Sequence, residues 1–479
     1  MAPTAAQWQA FEATLDGTLV RPGDPAYATA HRLFDPRFDS VHPQGVVRCA
    51  SEADVQRAIA FATHHGLHFT ARSGGHSYGG YSTGHGLVCD LVGLSSIHVH
   101  PDLGTAVVGA GARLIDLYAA AAAHGRAIAG GSCPTVGISG VTLGGGQGVL
   151  DRRFGLTCDN LRAVRIVTAD GAVLTCTENQ HADLFWACRG GGGGNFGVAT
   201  SFTFRVHPLT HLARFFLSWP WSRAAHVVAA WQHWAPDEPD DLWSNCHLRF
   251  AVGNPSISVS GVYAGPQASM ATEVSHLVHA VGSAPTVNQM ATGTYLDTML
   301  IEAGCAGLTV AQCHLPSQNP QGVLGRELQV ARSDFFDHSL PPAGIQALLH
   351  SIERRGANPL LAGGGGGVGL DALGGAINRV PRDATAFVHR NSRFLAQYST
   401  RWPPGASDQV VDANVAWLDA FHHAMRPFSS GLAYVNYIDP TLTDWQHAYY
   451  GANLARLVHV KARYDPGNFF QFPQSIPVA

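Results

Sequence analysis

Glycine is the residue that most constrains what this chain can fold into, because 54 of its 479 residues are glycine and many stand in clusters. The clusters lie at positions 74–75, 79–80, 130–131, 144–146, 190–194 and 363–367. Apolar segments with helix or strand periodicity frame them, whereas a flexible linker would also be rich in Ser, Pro and charge. Since glycine lacks a Cβ, the clusters predict tight turns where the backbone comes close to another group.

The segments between the first clusters alternate between helix and strand patterns. Ser51 begins a sequence typical of a helix N-terminus, and Gly66 ends that helix. Residues 67–72 are typical of a strand that runs into the first glycine loop, and Asp170 with Gly171 predicts a hairpin turn. Strands and helices joined by glycine loops predict an α+β domain that binds an extended, phosphate-bearing ligand.

The bulk properties predict a compact protein with more than one domain. Hydrophobic residues make up 46% of the chain and charged residues 13%, and the length exceeds that of one ordinary core. After Pro208 the segments become longer and more aromatic, which indicates a second domain with a sheet backed by helices. We expect an N-terminal domain over 1–206, a second domain over 207–415 and a C-terminal segment over 416–479.

Several classes of partner and site are disfavoured. The formal net charge is −4 with no long Lys/Arg run, which argues against nucleic acid as a partner. No apolar stretch is long enough for a membrane span, and no signal peptide is visible, so we expect a cytoplasmic protein, or a secreted one whose leader was removed. The nine cysteines lack C-x-x-C spacing, which indicates neither a disulfide framework nor a zinc site, and no metal is predicted.

Three features of the glycine loops are candidates for chemistry, and each also has a purely structural explanation. His76 stands between two glycine pairs and could be a hydrogen-bonded structural residue. Cys133 could be a small buried hydrophobe. The run 190–194, followed by Asn195, could be a plain loop, although consecutive backbone N–H groups suit a pyrophosphate. Their occurrence in order within one predicted domain favours a ligand site.

Five ordered motifs resemble the berberine bridge enzyme-like flavoproteins of the vanillyl-alcohol oxidase superfamily. They are RSGGHSYGGYS, GGSCPTVGISGVTLGGGQGVLDRRFGLTCDNL, RGGGGGNFGV, AYVNYIDP and YDPGNFFQFPQSIP. Five motifs in one order are far more specific than a single glycine motif. The resemblance implies the two-domain FAD-binding fold of para-cresol methylhydroxylase. Residues 1–206 and 416–479 would form the FAD domain, and 207–415 a substrate domain built on an antiparallel sheet backed by helices.

The resemblance also implies FAD attached by two covalent bonds, from His76 to the flavin 8α-methyl group and from Cys133 to ring position 6. Since a thiolate is needed for such a bond, we expect Cys133 in an electropositive, hydrogen-bonding loop. Asp159 and Asn160 either help to hold the cofactor region or only form a turn. The other implied cofactor-binding residues are Arg72, Ser73, Gly74, Gly75, Ser77, Tyr78, Val136, Gly137, Gly140, Gly144, Gly145, Gly148, Asn195, Gly197, Val198 and Asn436.

The motif AYVNYIDP implies an active-site tyrosine, and Tyr437 is the best candidate for the base, with Tyr434 as the alternative. On a regular strand the two side chains would point to opposite faces, so only one of them would meet the substrate. A tyrosine needs help to act as a base near neutral pH. Asp371 in VGLDALGGAIN occupies the family position that faces the flavin, and Gln397 is a neighbouring pocket candidate. An Asp beside a Tyr is similar to the pattern of the family's carbohydrate oxidases.

The resemblance implies an oxidase of a sugar hydroxyl or similar alcohol, with hydride transfer to flavin N5 and reoxidation by O2 to H2O2. Val136 occupies the position where the family's oxidases carry valine and its dehydrogenases a bulkier leucine. LDALGG lacks the usual Pro and aromatic residue, and Gln147 replaces a common hydrophobic residue, so the substrate pocket departs from the family pattern. A secondary-metabolite tailoring oxidase and a flavin-binding protein without turnover are the alternatives. We expect small-molecule partners only and a monomer or homodimer.

Overall fold

The computed structural model describes residues 3–251 and 253–478. Its helices are α1 (Ala5–Glu12), α2 (Tyr27–Ala30), α3 (Glu52–His65), α4 (Leu114–Ala123), α5 (Ile138–Leu143), α6 (Asp151–Phe154), α7 (Ala182–Ala187), α8 (Ala224–Trp234), α9 (Gln267–Val281), α10 (Tyr295–Glu302), α11 (Pro342–Gly356), α12 (Gly375–Arg379), α13 (Asp408–Met425), α14 (Trp445–Tyr450) and α15 (Leu454–Tyr464). Its strands are β1 (Thr18–Val20), β2 (Gly45–Arg48), β3 (Phe69–Arg72), β4 (Leu87–Asp90), β5 (Ile97–His100), β6 (Thr105–Gly109), β7 (Arg126–Ala127), β8 (Leu161–Val167), β9 (Val173–Cys176), β10 (Val198–Arg205), β11 (His207–Pro208), β12 (His211–Trp219), β13 (Leu242–Ala251), β14 (Asn254–Tyr263), β15 (Val287–Thr294), β16 (Gln329–Phe336), β17 (Gly365–Ala372) and β18 (Phe394–Arg401).

The N-terminal part contains two small sheets that share one core. The first has the strand order β1-β2-β4-β3, in which β4 pairs in parallel with β2 and β3, and the second has the order β5-β6-β10-β8-β9. Helix α3 begins with a capping box at Ser51 and ends at Gly66 in the left-handed conformation, as predicted. The hairpin predicted at Asp170 and Gly171 joins β8 to β9. This arrangement places the loop that follows β3 at the edge of the first sheet.

The middle part is a seven-stranded antiparallel sheet with the order β15-β12-β14-β13-β17-β18-β16. Helices α8, α9, α11 and α13 pack with it in one hydrophobic cluster, which contains Trp231, Leu277, Ile352 and Phe421. Because successive strand residues point to opposite faces, the alternate residues of β13, β17 and β18 form a second face that is open to a cavity. The mixture of separate helices and mainly antiparallel sheets confirms the predicted α+β class.

The C-terminal segment returns to the N-terminal part. Tyr449, Tyr450 and Leu457 lie in the same core cluster as Phe202 and Phe204 of β10. The expected division between 415 and 416 falls inside α13, which packs on the seven-stranded sheet, so residues up to about Met425 accompany that sheet.

Two of the nine cysteines are joined, although their spacing did not indicate it. Cys305 and Cys313, eight positions apart, form a disulfide in the segment after α10. Within the described residues, none of the helices combines the length and apolar character needed to cross a bilayer.

Candidate active site

A cavity of about 1220 Å³ lies where the glycine loops face the open side of the seven-stranded sheet. Its walls come from the loops around residues 72–78, 131–141 and 192–199, from the sheet, and from residues 434–438 of the C-terminal segment. Positions more than 300 residues apart in the chain therefore border one space. A cavity of this size can enclose an extended ligand and a substrate together.

His76 is held in a fixed orientation on this wall. Its ring stacks on Phe34 at a centroid distance of 4.0 Å and an interplanar angle of 20°. Its Nε2 lies 2.9 Å from the Thr135 hydroxyl. Burial, and then the charge of Arg113, lower the pKa of His76 to about 3. The imidazole is therefore neutral at physiological pH, as a nucleophile must be.

Cys133 lies on the same wall, and the same threonine contacts it. Its Sγ is 4.0 Å from the Thr135 hydroxyl. The accessible surface of the thiol opens into the cavity, while the surrounding walls still desolvate the group and raise the pKa of Cys133. Hydrogen bonds from Thr135 act in the opposite direction but are outweighed. The expected hydrogen-bonding loop is therefore present at Cys133, but desolvation, with the charge of Glu327, outweighs its donors, so the loop does not stabilise the thiolate.

The glycines of these loops serve two different purposes. A Cβ on Gly74 would lie 2.2 Å from the backbone nitrogen of Gly137, and one on Gly137 would lie 2.1 Å from the hydroxyl of Ser73. These two glycines therefore let the His76 and Cys133 loops touch each other. Gly140 and Gly193 are different, because an added Cβ would meet nothing closer than 3.8 Å. Their backbone faces open space in the cavity.

Gly144 and Gly145 do not border the cavity. A Cβ on Gly144 would lie 2.1 Å from the side-chain oxygen of Asn436, and Gly145, at a φ of +128°, packs against the ring of Phe387. They make room for the C-terminal segment and for the loop before β18 instead of for a ligand.

Most polar side chains predicted to bind a cofactor are occupied by the protein. Arg72 forms an ion pair with Asp90 at 2.7 Å, and the hydroxyl of Ser73 donates to the carbonyl of Ala110. The Ser77 hydroxyl accepts from the backbone of Tyr81. These side chains border the cavity and fix the loop shape, which leaves backbone groups to face a ligand.

The side chain of Asn195 is occupied in the same way. Its amide nitrogen donates to the carbonyls of Gly191 and Gly192, and its oxygen accepts from the backbone of Ile476. The remaining predicted residues that border the cavity are Gly75, Tyr78, Val136, Gly148, Gly197, Val198 and Asn436.

Tyr437 presents its ring to the cavity beside a second tyrosine. The rings of Tyr437 and Tyr78 are parallel within 9° at a centroid distance of 5.7 Å. Gln397 of β18 donates from Nε2 to the hydroxyl of Tyr78 at 2.8 Å. Burial, and then the Asp371 carboxyl group, raise the pKa of Tyr437 far above its ordinary value. The structure thus brings together Tyr437, Gln397 and Asp371, from three separate segments.

Tyr434 also borders the cavity, but its hydroxyl is held by the protein. It is buried, and its hydroxyl accepts hydrogen bonds from the backbone nitrogens of Gly146 at 2.8 Å and Gln147 at 3.2 Å. The side chain of Asn436 donates to it at 2.9 Å. Burial raises the pKa of Tyr434 to about 12 in spite of these donors. Its hydroxyl therefore joins the C-terminal segment to the loop around 144–148.

Asp371 lies on the open face of β17, between Asn245 of β13 and Leu395 of β18. Burial raises the pKa of Asp371 from 3.8 to about 7. A second cavity carboxyl group, Glu302, has its pKa raised to about 7 by burial and by the charge of Asp371. The cavity therefore holds two carboxyl groups that can exchange protons near neutral pH.

Sequence reasoning missed Phe34, Thr135, His247 and Glu302. The hydroxyl residue two positions after Cys133 in the CPTVG motif was a usable signal for Thr135. The others come from distant elements, and nothing in their local sequence marks them.

Two other groups of polar residues lie away from the cavity. Asp159 forms a buried ion pair with Arg390 at 2.7 Å, while Asn160 donates to nearby carbonyls, so both stabilise the fold. Within the described residues, Glu238, Glu273 and His276 bring their potential ligand atoms within 4.8 Å of one another, but none of the three borders the cavity.

The chain matches two family models. Residues 43–177 match the FAD binding domain, and residues 433–477 match the model described as berberine and berberine like. Over 469 residues it is 34% identical to an uncharacterised FAD-linked oxidoreductase, YgaK of Bacillus subtilis, covering 97% of each chain.

Solved structures resemble it over nearly the whole length. The Physcomitrella patens BBE-like 1 protein superposes with a TM-score of 0.88 at 29% identity, covering 98% of this chain and 99% of the other. A xylooligosaccharide oxidase from Myceliophthora thermophila, solved with xylobiose, superposes with a TM-score of 0.86 at 25% identity, covering 98% and 99%.

Proposed function

The chain belongs to the berberine bridge enzyme-like family of FAD-linked oxidoreductases, and from this premise we propose that it oxidises a hydroxyl of a sugar or similar alcohol. On this proposal O2 would be the final electron acceptor and H2O2 the co-product. The observation that carries the proposal is the meeting of Tyr437, Asp371 and a polar sheet face in the cavity that the glycine loops border.

The residues around the cavity fit FAD. The cavity volume of about 1220 Å³ exceeds that of an ordinary small-molecule pocket. The backbone at Gly140 and Gly193 is open to the cavity. The N–H groups of Gly190, Gly191 and Gly192 donate to backbone carbonyls of the protein. The N–H groups of the loops 72–78 and 193–197 are the ones that suit the pyrophosphate. These loops, with 133–140, would hold the cofactor.

We propose that His76 and Cys133 each form a covalent bond to the flavin ring. The neutral imidazole of His76 and the cavity-facing thiol of Cys133 support this assignment. Because the pKa of Cys133 is raised, little thiolate is present at neutral pH, so attachment through Cys133 should become faster as the pH rises.

Intact-protein mass spectrometry tests the attachment. The denatured wild-type chain should carry the mass of one FAD, as should His76→Ala and Cys133→Ala separately, whereas the double variant should release it. His98→Ala, at an exposed position on β5, is the matched control. A wild-type chain without the added mass would exclude covalent attachment but would not exclude non-covalent binding of FAD.

When bound, FAD supplies a hydride acceptor at N5 and a route for the electrons to O2. Tyr437 would take the proton from the substrate hydroxyl. Because the pKa of Tyr437 is raised, its hydroxyl is protonated near neutral pH, so it would accept the substrate proton only while passing its own phenolic proton to a further acceptor. Asp371, whose pKa lies at about 7, would take it near neutral pH.

The open sheet face supports a hydroxyl-rich substrate. The cavity side chains there include Asn245, His247, Ser258, Ser260 and Gln397. Such side chains donate and accept hydrogen bonds, which suits a sugar better than an apolar ring system. The similarity to a xylooligosaccharide oxidase agrees with this choice.

A peroxide-coupled screen of oligosaccharides and alcohols tests the reaction, with product mass as the second readout. A loss of two hydrogens with a carbonyl or lactone formed supports the proposal. Ring closure of an alkaloid-like substrate, with sugars left unoxidised, would support a tailoring oxidase instead.

A further inference from the structure

The open face of β17 forms an ordered row with its two neighbouring strands. Its successive positions pair with one residue of β13 and one of β18: Asp371 with Asn245 and Leu395, Gly369 with His247 and Gln397, and Gly367 with Arg249 and Ser399. At a rise of about 3.4 Å per residue, the position of Gly367 lies about 14 Å from Asp371. The row therefore has Asp371, at the proposed reaction centre, at one end and Arg249 at the other.

Because Gly369 has no side chain, the side chain of His247 packs over β17 at this position. A Cβ at Gly369 would lie 3.1 Å from Cε1 of His247, so the imidazole occupies the space above this glycine. Arg249 donates from Nη2 to Nδ1 of His247 at 3.0 Å. Burial and the charge of Arg249 lower the pKa of His247 to about 3, which keeps the ring neutral. The partner that orients Arg249 thus carries no negative charge.

A second arginine, Arg401 of β18, borders the same end of the cavity. Its Nη1 lies 3.1 Å from the carboxylate of Glu327. Across the described parts of the chain, no carboxylate oxygen lies within 4.0 Å of a nitrogen of Arg249. Arg249 is exposed to the open cavity, where desolvation by its walls, and then the charge of Arg401, lower the pKa of Arg249, so the two guanidinium groups interact. Glu327 therefore pairs with Arg401 alone, and the charge of Arg249 has no carboxylate partner among the described residues.

We propose that Arg249 and Arg401 bind an anionic group of the substrate, a carboxylate or a phosphate ester, at the end of the row remote from Asp371. A guanidinium group offers paired N–H donors that match either group. The substrate class is an elongated acidic saccharide whose charged unit lies far from its oxidised end. This inference rests on the proposed function, because it takes the oxidised hydroxyl to lie beside Tyr437 and Asp371.

Three trisaccharides with the same reducing end test the inference. They are cellotriose, cellotriose with C6 of its non-reducing unit oxidised to a carboxylate, and cellotriose phosphorylated at that C6. We expect a KM about tenfold lower for at least one acidic sugar, with the advantage shrinking as salt is added. The acidic sugar with the lower KM identifies which anion the site accepts.

Variants locate the effect. Arg249→Gln should raise the KM for the acidic sugar about tenfold with kcat nearly unchanged, and Arg249→Lys should recover part of the loss. Glu327→Gln should lower that KM, because it frees Arg401. Arg354→Gln, exposed on α11 and away from the cavity, is the matched control and should change neither constant. Equal KM values for all three sugars, unaffected by Arg249→Gln, would overturn the inference.

A binding measurement separates this inference from the proposed reaction. Titration of flavin-loaded Tyr437→Phe, followed by the flavin absorption spectrum, reports binding without turnover. Arg249-dependent binding of an acidic sugar that wild type does not oxidise would support the anion site and reject the reaction. Oxidation of all three sugars with equal affinity would do the reverse, and absence of binding would reject the anion site.

Discussion

Nε2 of His76 and the hydroxyl oxygen of Thr135 lie 2.9 Å apart, although 59 positions separate them in the chain. Because Nε2 is engaged, Nδ1 is the ring nitrogen left to bond a ligand. The same hydroxyl contacts Cys133, so one threonine orients both proposed attachment residues.

Thr135→Val should slow attachment of FAD through His76 about fivefold, since one hydrogen bond that orients the imidazole is lost. The readout is the fraction of Cys133→Ala protein that carries the FAD mass, so that only the His76 bond is counted. Thr135→Ser keeps the hydroxyl and should attach FAD at the rate of the protein with Thr135. Equal attachment in the valine and serine variants would contradict the orienting role.

Tyr437→Phe and Tyr434→Phe should have different effects. Loss of a proton acceptor at Tyr437 should lower kcat by about 10²- to 10⁴-fold with the fold intact. Tyr434→Phe leaves the buried N–H groups of Gly146 and Gln147 without their acceptor, which should cost about 1–3 kcal/mol of unfolding free energy. Urea unfolding and anaerobic flavin reduction measure the two effects. A larger loss of flavin reduction in Tyr434→Phe would exchange the two roles.

The pH dependence should report Asp371. Since its ionised form accepts the proton, kcat/KM should rise as the pH rises through about 7, and Asp371→Asn should abolish this limb. Glu302→Gln is the control. It should keep the limb, because burial of Asp371 alone raises the pKa of that carboxyl group and Asp371 is still present.

Asp371 should also lower stability at high pH. Folding raises its pKa from 3.8 to about 7, so the fold favours the protonated form, and stability is lost as the pH rises through that range. Asp371→Asn should therefore raise the Tm at pH 8 but not at pH 4. A Tm that falls at pH 8 would show that the carboxylate stabilises the fold.

Val136→Leu should slow the reaction of the reduced protein with O2. Val136 borders the cavity close to Cys133, where we propose that the flavin binds. A longer side chain would fill space through which O2 reaches the flavin. Stopped-flow reoxidation should slow by about tenfold or more, whereas the rate of reduction by substrate should stay nearly constant. Val136→Ile adds a methyl group with a different shape and is the matched comparison. Unchanged reoxidation in both variants would rule out this role.

Lys461 should be important for stability. Its Nζ is buried and donates to Asp465 at 2.6 Å and to the carbonyls of Asn195 at 2.7 Å and Phe470 at 2.6 Å. Lys461→Met leaves a buried carboxylate unpaired, which should cost about 3–5 kcal/mol in urea unfolding. Arg463→Met breaks an exposed ion pair two residues away and should cost less than about 1 kcal/mol.

The sequence by itself determined the α+β class, helix α3, the hairpin at Asp170 and Gly171, and the family with its FAD. Each of these depends on residues close in the chain: a capping box, a turn dipeptide, or a short motif. Local hydrogen bonds and backbone preferences act over a few residues, so the amino-acid sequence is sufficient to predict these features.

Tertiary structure decided the rest. Only packing shows that Gly74 and Gly137 face each other across two loops, that the hydroxyl of Tyr434 is held by backbone donors while Tyr437 faces the cavity, and that the surroundings of Cys133 raise its pKa. Desolvation depends on every element around a group, and strand pairing places Arg249 of β13 and Arg401 of β18 on either side of β17, at Gly367 and Gly365. Such distances and charges follow from how distant segments pack, which no local pattern records.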